Sequence, residues 1–163
     1  MSEYQAQIVW HRQATENFLD AKYSRCHLWK FDGGVVVPAS SAVQSVPLPY
    51  SKPENVDPEE ALVAAVSSCH MLFFLSLAAK AGLVVDCYHD LAKGTMSKND
   101  QGRVAITSVL LSPDIVFSGA EVATDSIVGQ LHHAAHDACY IANSLRAEIT
   151  VAGAWRQTAI VPL

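Results

Sequence analysis

The chain has 163 residues, half of them apolar and 17% charged, a length that suffices for one domain with a proper core and a composition that excludes intrinsic disorder. Eleven Lys and Arg against sixteen Asp and Glu leave a net charge of -5 with no long basic cluster, so nucleic acid is not an expected partner. The charged share is well below the usual quarter, which implies that some apolar surface is covered by a partner, most simply a second copy of the chain.

The first residues carry no apolar run behind a basic head, so no signal peptide and a cytoplasmic location are expected. Residues 4–12 alternate, with Tyr4, Ala6, Ile8 and Trp10 on one side, and predict a half-buried strand. A second alternating stretch runs from Tyr23 to Phe31 and stops at Asp32-Gly33-Gly34, and Val35-Val36-Val37 continues as a third strand. Residues 38–58 are rich in proline and serine and predict an irregular connection.

A long helix follows. Asp57 reads as its N-cap, Pro58 as the first helical residue and Glu60 as the capping-box partner, with Gly82 as the stop. No charged residue stands between Glu60 and Lys80, so the helix is apolar nearly all round. Its length would permit a membrane span. Its alanines, its interruption by Ser67, Ser68, His70 and Ser76, and its soluble-type caps argue instead for a helix buried in a fold or between subunits, with no membrane involved.

Val84 to Ser97 and Arg103 to Phe117 flank an Asn/Asp/Gly turn and predict a β-hairpin, whose second run is apolar on both faces and belongs at the centre of a sheet. From about Thr124 a second helix carries His132, His133, His136 and Asp137 on its more polar sides, and Ala147 to Val151 reads as a last strand. This order of strands, long helix, hairpin, helix and strand gives the α+β class, in a single domain over residues 1–163.

Four cysteines, at 26, 69, 87 and 139, include no Cys-x-x-Cys pair, which argues against a zinc ribbon or a thioredoxin-type motif. Cys69 lies well inside the apolar helix, too far from its N-terminus for the macrodipole to help form a thiolate. Two readings fit it: a packed thiol, or a reactive one activated by a cation from elsewhere in the fold. The same two fit Cys139, and Cys26 and Cys87 read as structural. His132 and His136 stand one helical turn apart, and with Cys139 they suggest a zinc site. No His-Glu-x-x-His or second ligand pair completes it, so neither metal nor cofactor is expected. Arg25, among Tyr23, His27 and Trp29, should have a carboxylate or thiolate partner, because an unpaired charge beside aromatic bulk is costly.

The stretch Asp57-Pro58-Glu59-Glu60-Ala61-Leu62-Val63-Ala64-Ala65-Val66-Ser67-Ser68-Cys69 resembles the first cysteine segment of the OsmC/Ohr family, the osmotically inducible and organic hydroperoxide resistance proteins. Ala138-Cys139-Tyr140 through Ala147-Glu148-Ile149-Thr150 resembles its second, beyond a hairpin as the family requires. Tyr140 in place of proline and the proline-rich connection depart from the family pattern. The resemblance implies an intertwined homodimer of antiparallel sheets around a long buried central helix, with two active sites at the interface. It further implies a thiol peroxidase of the oxidative stress response that acts on organic hydroperoxides. Cys69 would be the peroxidatic cysteine, Cys139 the resolving cysteine, Arg25 the activating arginine and Glu59 its acidic partner, with a lipoyl-type dithiol as reductant. Glu59 lies ten residues before Cys69, roughly 15 Å along the helix axis, so a second subunit must deliver it to a shared site. The alternative on the same fold is a non-enzymatic protein binding a hydrophobic ligand.

Overall fold

Aromatic residues that alternate in sequence do not always extend into strands, and the N-terminal region illustrates why. The computed structural model describes residues 2–158, and these divide into two compact units, one reaching Ala61 and the other starting at Leu62. In the first unit, strands β1 (Ala6–Val9), β2 (His27–Phe31) and β3 (Val36–Ala39) form an antiparallel sheet in that order, with Trp29 opposite both Ile8 and Val37. The expected strands 4–12 and 23–31 are both shorter than their alternation suggests, because residues 10–25 close into a loop. The Trp10 indole donates to the Ser24 carbonyl at 2.8 Å. The Glu16 carboxylate accepts from the backbone N–H groups of Gln13 and Ser24. Phe18 stacks on Tyr23 with ring centres 4.7 Å apart, and Trp10 meets Tyr23 edge-on. The rings satisfy one another rather than a sheet face.

The connection over residues 40–57 is irregular, as its prolines require. It is tied back by a bridge between Ala39 and Val56 and by the Ser40 hydroxyl, which accepts from the Lys52 N–H. Little of this unit is buried: Ile8 is 60% exposed, and only Ala39, Ser40 and Ser51 are fully buried.

Helix α1 (Pro58–Lys80) begins at a reciprocal capping box, in which Glu60 N–H donates to the Asp57 carboxylate and Asp57 N–H donates to the Glu60 carboxylate. It ends at Gly82, whose φ of 79° is open to glycine without strain. The paired bonds from Leu83 N–H to Ala78 O and from Gly82 N–H to Ala79 O form a Schellman motif. Within the second unit its buried residues are Val66, His70, Phe74 and Ala78, four apart along one stripe. Leu72, off that stripe, is 60% exposed.

The hairpin is bent. Its first arm breaks between β4 (Val84–Asp90) and β5 (Lys93–Lys98), and its second breaks at Ser112 between β6 (Val104–Leu111) and β7 (Pro113–Ser118). One hairpin therefore supplies two sheets, ordered β4-β7-β9 and β5-β6-β8, with β6 central as its two apolar faces require. The Asp90 carboxylate fastens the bend, accepting from Ser112 N–H at 2.7 Å and from the Ser67 hydroxyl of α1 at 2.5 Å. Helix α2 (Asp125–Ala138) is capped by Thr124 and followed by a 3-10 turn over Ala142–Ser144. Strand β8 (Glu148–Val151) then joins β6, and β9 (Ala154–Gln157) joins β7, both in parallel. The sequence pattern alone does not announce this last strand.

Two apolar clusters result. Val66 of α1 packs with Val109 and Leu111 of β6, flanked by Ile141 and Leu145 from the turn after α2. Phe74 and Ala78 pack with Ile115 and Phe117 of β7 and with Val128, Leu131 and Ala135 of α2. Burying each large side chain contributes about 1.5–3 kcal/mol. Cys69 falls between these clusters along α1, and Cys139 falls between them where α2 gives way to its turn.

Candidate active site

At that seam the two cysteines meet. Cys69, far away in sequence, is a neighbour of Cys139, close enough for its side chain to act on the ionisation of the Cys139 thiol. Both are free thiols; Cys69 is partly exposed, and Cys139 is only 1% exposed. Cys139 caps the C-terminus of α2 with an extended backbone, and the following turn wraps it. Ala142 N–H donates to its sulfur at 3.4 Å, and the Asn143 side-chain amide donates to the carbonyls of Asp137 and Cys139. Burial pushes the Cys139 thiol above its ordinary range, and the neighbouring Cys69 side chain pushes the same way. The N–H groups of Ala142 and Ile141 act against them. Cys139 is thus held as a protonated thiol beside a more accessible sulfur.

One residue beyond Cys69, His70 is 1% exposed. Its Nε2 shares a hydrogen bond of 3.0 Å with Nδ1 of His132, and the two rings stack. His132 also lies against Phe74, with ring centres 4.5 Å apart. Burial lowers the His70 pKa to about 4, helped by His132 and His136 and opposed by the Asp90 carboxylate. Burial lowers that of His132 too, again against Asp90. Both imidazoles are therefore neutral near pH 7. Sequence spacing assigns His132 to a polar face beside His136. In the fold it turns towards α1 instead, while His133 pairs with Asp137 at 3.6 Å in solvent. No group of three metal-ligating side chains occurs among the described residues. His132 further lines a cavity of about 330 Å³ with Asp125, Gly129 and Trp155, and neither cysteine lines it.

Arg25 and Glu59 belong to the first unit. Arg25 lies two residues ahead of β2 and is half-buried. Its guanidinium donates to the carbonyls of Ala21 and Tyr23 and covers the Tyr23 ring at 3.7 Å. Among the described residues no carboxylate forms an ion pair with it. Glu59, on the first turn of α1, forms no ion pair with Arg25 among those residues. Cys26 is half-buried ahead of β2, and Cys87 is exposed at a bulge in β4.

The histidine pair is invisible to sequence reasoning because α1 and α2 contribute one member each and no local pattern links them. The one available signal is His70 itself, a polar residue at four-residue spacing from Val66 and Phe74 on the helix stripe that becomes the core.

The family model described as OsmC-like protein matches residues 51–152. The structure of an OsmC-like protein of unknown function from Vibrio cholerae is 48% identical, covers 94% of this chain and 99% of its own, and superposes with a TM-score of 0.92. Organic hydroperoxide resistance proteins share the fold. That of Elizabethkingia anophelis is 15% identical with a TM-score of 0.59, covering 96% of this chain and 99% of its own. That of Bacillus subtilis is 14% identical with a TM-score of 0.54, covering 94% and 98%. No curated protein matches the sequence.

Proposed function

The chain belongs to the OsmC-like family, and on that premise we propose that it is a cysteine-based peroxidase reducing organic hydroperoxides. The observation that carries this reading is that the partly exposed Cys69 is a neighbour of the buried Cys139 and raises the pKa of its thiol. Proteins named for organic hydroperoxide resistance share the fold and lend further support.

In the first step the Cys69 thiolate attacks a peroxide oxygen. The O–O bond breaks, an S–O bond forms, and the departing alkoxide takes a proton to leave as alcohol. Sulfur loses two electrons and the peroxide gains them. In the second step the Cys139 sulfur attacks the sulfenic acid. The S–O bond breaks, and hydroxide leaves with the thiol proton as water, giving a disulfide. A dithiol of the lipoyl type then restores both thiols by exchange and becomes a disulfide itself. Arg25 is assigned to hold Cys69 as thiolate, and Glu59 to orient that guanidinium from the second subunit of a homodimer with two interfacial sites. The uncovered apolar residues of α1, such as Leu72, suit both that interface and a greasy peroxide. Residues 1–163 act as one domain in this reading, in the cytoplasm and without metal or nucleic acid.

The test is dithiol-dependent consumption of cumene hydroperoxide. Wild type turns over, Cys69→Ser falls to background, and Cys139→Ser forms one sulfenic acid per chain without turnover. Equal rates for wild type and Cys69→Ser would refute the reading and favour the non-enzymatic binding of a hydrophobic ligand.

A further inference from the structure

We propose that the hydrogen bond between the buried His70 and the partly buried His132 is a positioning device for the thiols: by joining α1 to α2 beside Cys69, it keeps the Cys69 and Cys139 sulfurs within bonding reach. The proposal deepens the reading of these cysteines as a redox couple and rests on it.

A disulfide tolerates little error. Its Cα atoms must stand about 4.4–6.8 Å apart with the sulfurs near a right-angle torsion. Apolar contacts between helices are non-directional and hold such a geometry loosely, whereas a hydrogen bond fixes one atom pair to within a few tenths of an ångström. The His70–His132 bond is the one hydrogen bond between α1 and α2 among the described residues. It joins the residue after Cys69 to the helix that ends at Cys139. Phe73 of α1 also meets Tyr140 edge-on at 5.1 Å, so two ties join the segments that carry Cys69 and Cys139. Cys69 is bracketed along its own helix. Two residues before it, Ser67 is bound to Asp90 at the hairpin bend, and one residue after it, His70 is bound to α2.

Stability alone gives no reason for the pair. Taking the His70 imidazole and part of His132 out of water beside Phe74 costs desolvation that a leucine or phenylalanine would avoid, so what the pair adds is register. Its protonation state fits that role. Each bond between imidazoles needs one N–H and one lone pair, and a neutral pair supplies both. The charged and titratable groups facing it are Asp90 and His136, the first favouring a proton on the pair and the second opposing one on His70.

The experiment equilibrates the full-length protein with reduced and oxidised glutathione and reads the Cys69–Cys139 disulfide by mass spectrometry. The result is the effective concentration of one thiol at the other. His132→Phe keeps the ring volume and removes the bond, and it should lower that concentration at least tenfold, with Cys69 alkylation changed less than twofold. His132→Asn places an amide near the position of Nδ1 and should recover to within about threefold of wild type. A purely structural histidine would show no rescue. An unchanged effective concentration in a folded His132→Phe protein overturns the proposal, as does failure of His132→Asn to exceed His132→Phe. If His132→Phe does not melt cooperatively, wild type alone decides. Coupling is reciprocal, so disulfide formation must shift the imidazole ¹⁵N resonances of His70 and His132, and unmoved resonances overturn the proposal. Cumene hydroperoxide leaving Cys69 unmodified would defeat the peroxidase reading while leaving the glutathione equilibrium to judge the pair.

Discussion

A neutral histidine in a protein core makes stability depend on pH, and His70 gives that dependence a sign. The unfolded chain takes up the proton near 6.5, whereas the folded chain resists until about pH 4 because burial disfavours the charge. Stability is therefore complete above about pH 6.5 and is lost as pH falls towards 4, by up to about 3 kcal/mol. Urea unfolding midpoints between pH 7.5 and 4.5 should fall markedly in wild type and much less in His70→Leu. Parallel curves for the two proteins would show that His70 is charged or exposed when folded. The same residue marks where sequence reading stops at this scale. Cys69 and Cys139 stand out as candidates in the sequence because their flanking segments resemble a family pattern. The His70–His132 bond does not, since a tertiary contact leaves no trace in local spacing. Arg25 is a related case: its aromatic neighbours point to a carboxylate or thiolate partner, and what local spacing does not show is that backbone carbonyls and the Tyr23 ring engage its guanidinium.

At the scale of elements, legibility followed the range of the interaction that decides each boundary. The caps of α1 depend on residues within five positions of one another, and both Asp57 with Glu60 and the Gly82 stop stand as read. The hairpin was legible as a pair of strands but not as a bent one. Its bend depends on Asp90 reaching forward to Ser112, at the break between β6 and β7, and back to Ser67 on α1. Strand β9 escaped notice for a similar reason. It is four residues long, follows β8 after two residues, and is defined by parallel pairing with β7. The connection between β8 and β9 must pass close to the bend, and Gly153 permits it. A Cβ there would stand 2.3 Å from the Pro113 carbonyl oxygen, which is backbone and cannot turn aside. Gly153→Ala should therefore cost about 1–3 kcal/mol in chemical unfolding, the range for overpacking. Gly33→Ala, which meets nothing within 4 Å, is the control and should change little. Equal effects of the two substitutions would mean that the chain at 153 does not run against Pro113.

For the whole molecule, the low charge of the sequence and the uncovered apolar residues make the same demand. Ile8 and Leu72 are each 60% exposed, the one in a sheet that buries little and the other on a helix uncharged from Ala61 to Ala79. The proposed homodimer would satisfy that demand and would also account for Glu59, which a rigid helix keeps well away from the Cys69 of its own chain. The consequence is testable by complementation. Cys69→Ser lacks the attacking sulfur but keeps its glutamate, and Glu59→Ala lacks the glutamate but keeps the sulfur. When the two inactive proteins are unfolded together and refolded at equal concentration, half of the dimers are mixed. If the glutamate acts across the interface, each mixed dimer has one complete site, and peroxidase activity should return to about a quarter of wild type. If Glu59 served the cysteine of its own chain, no combination of the two subunits would contain an intact site and the mixture would stay inactive. Sedimentation of the same mixture, showing dimers at the assay concentration, separates that outcome from a failure to assemble.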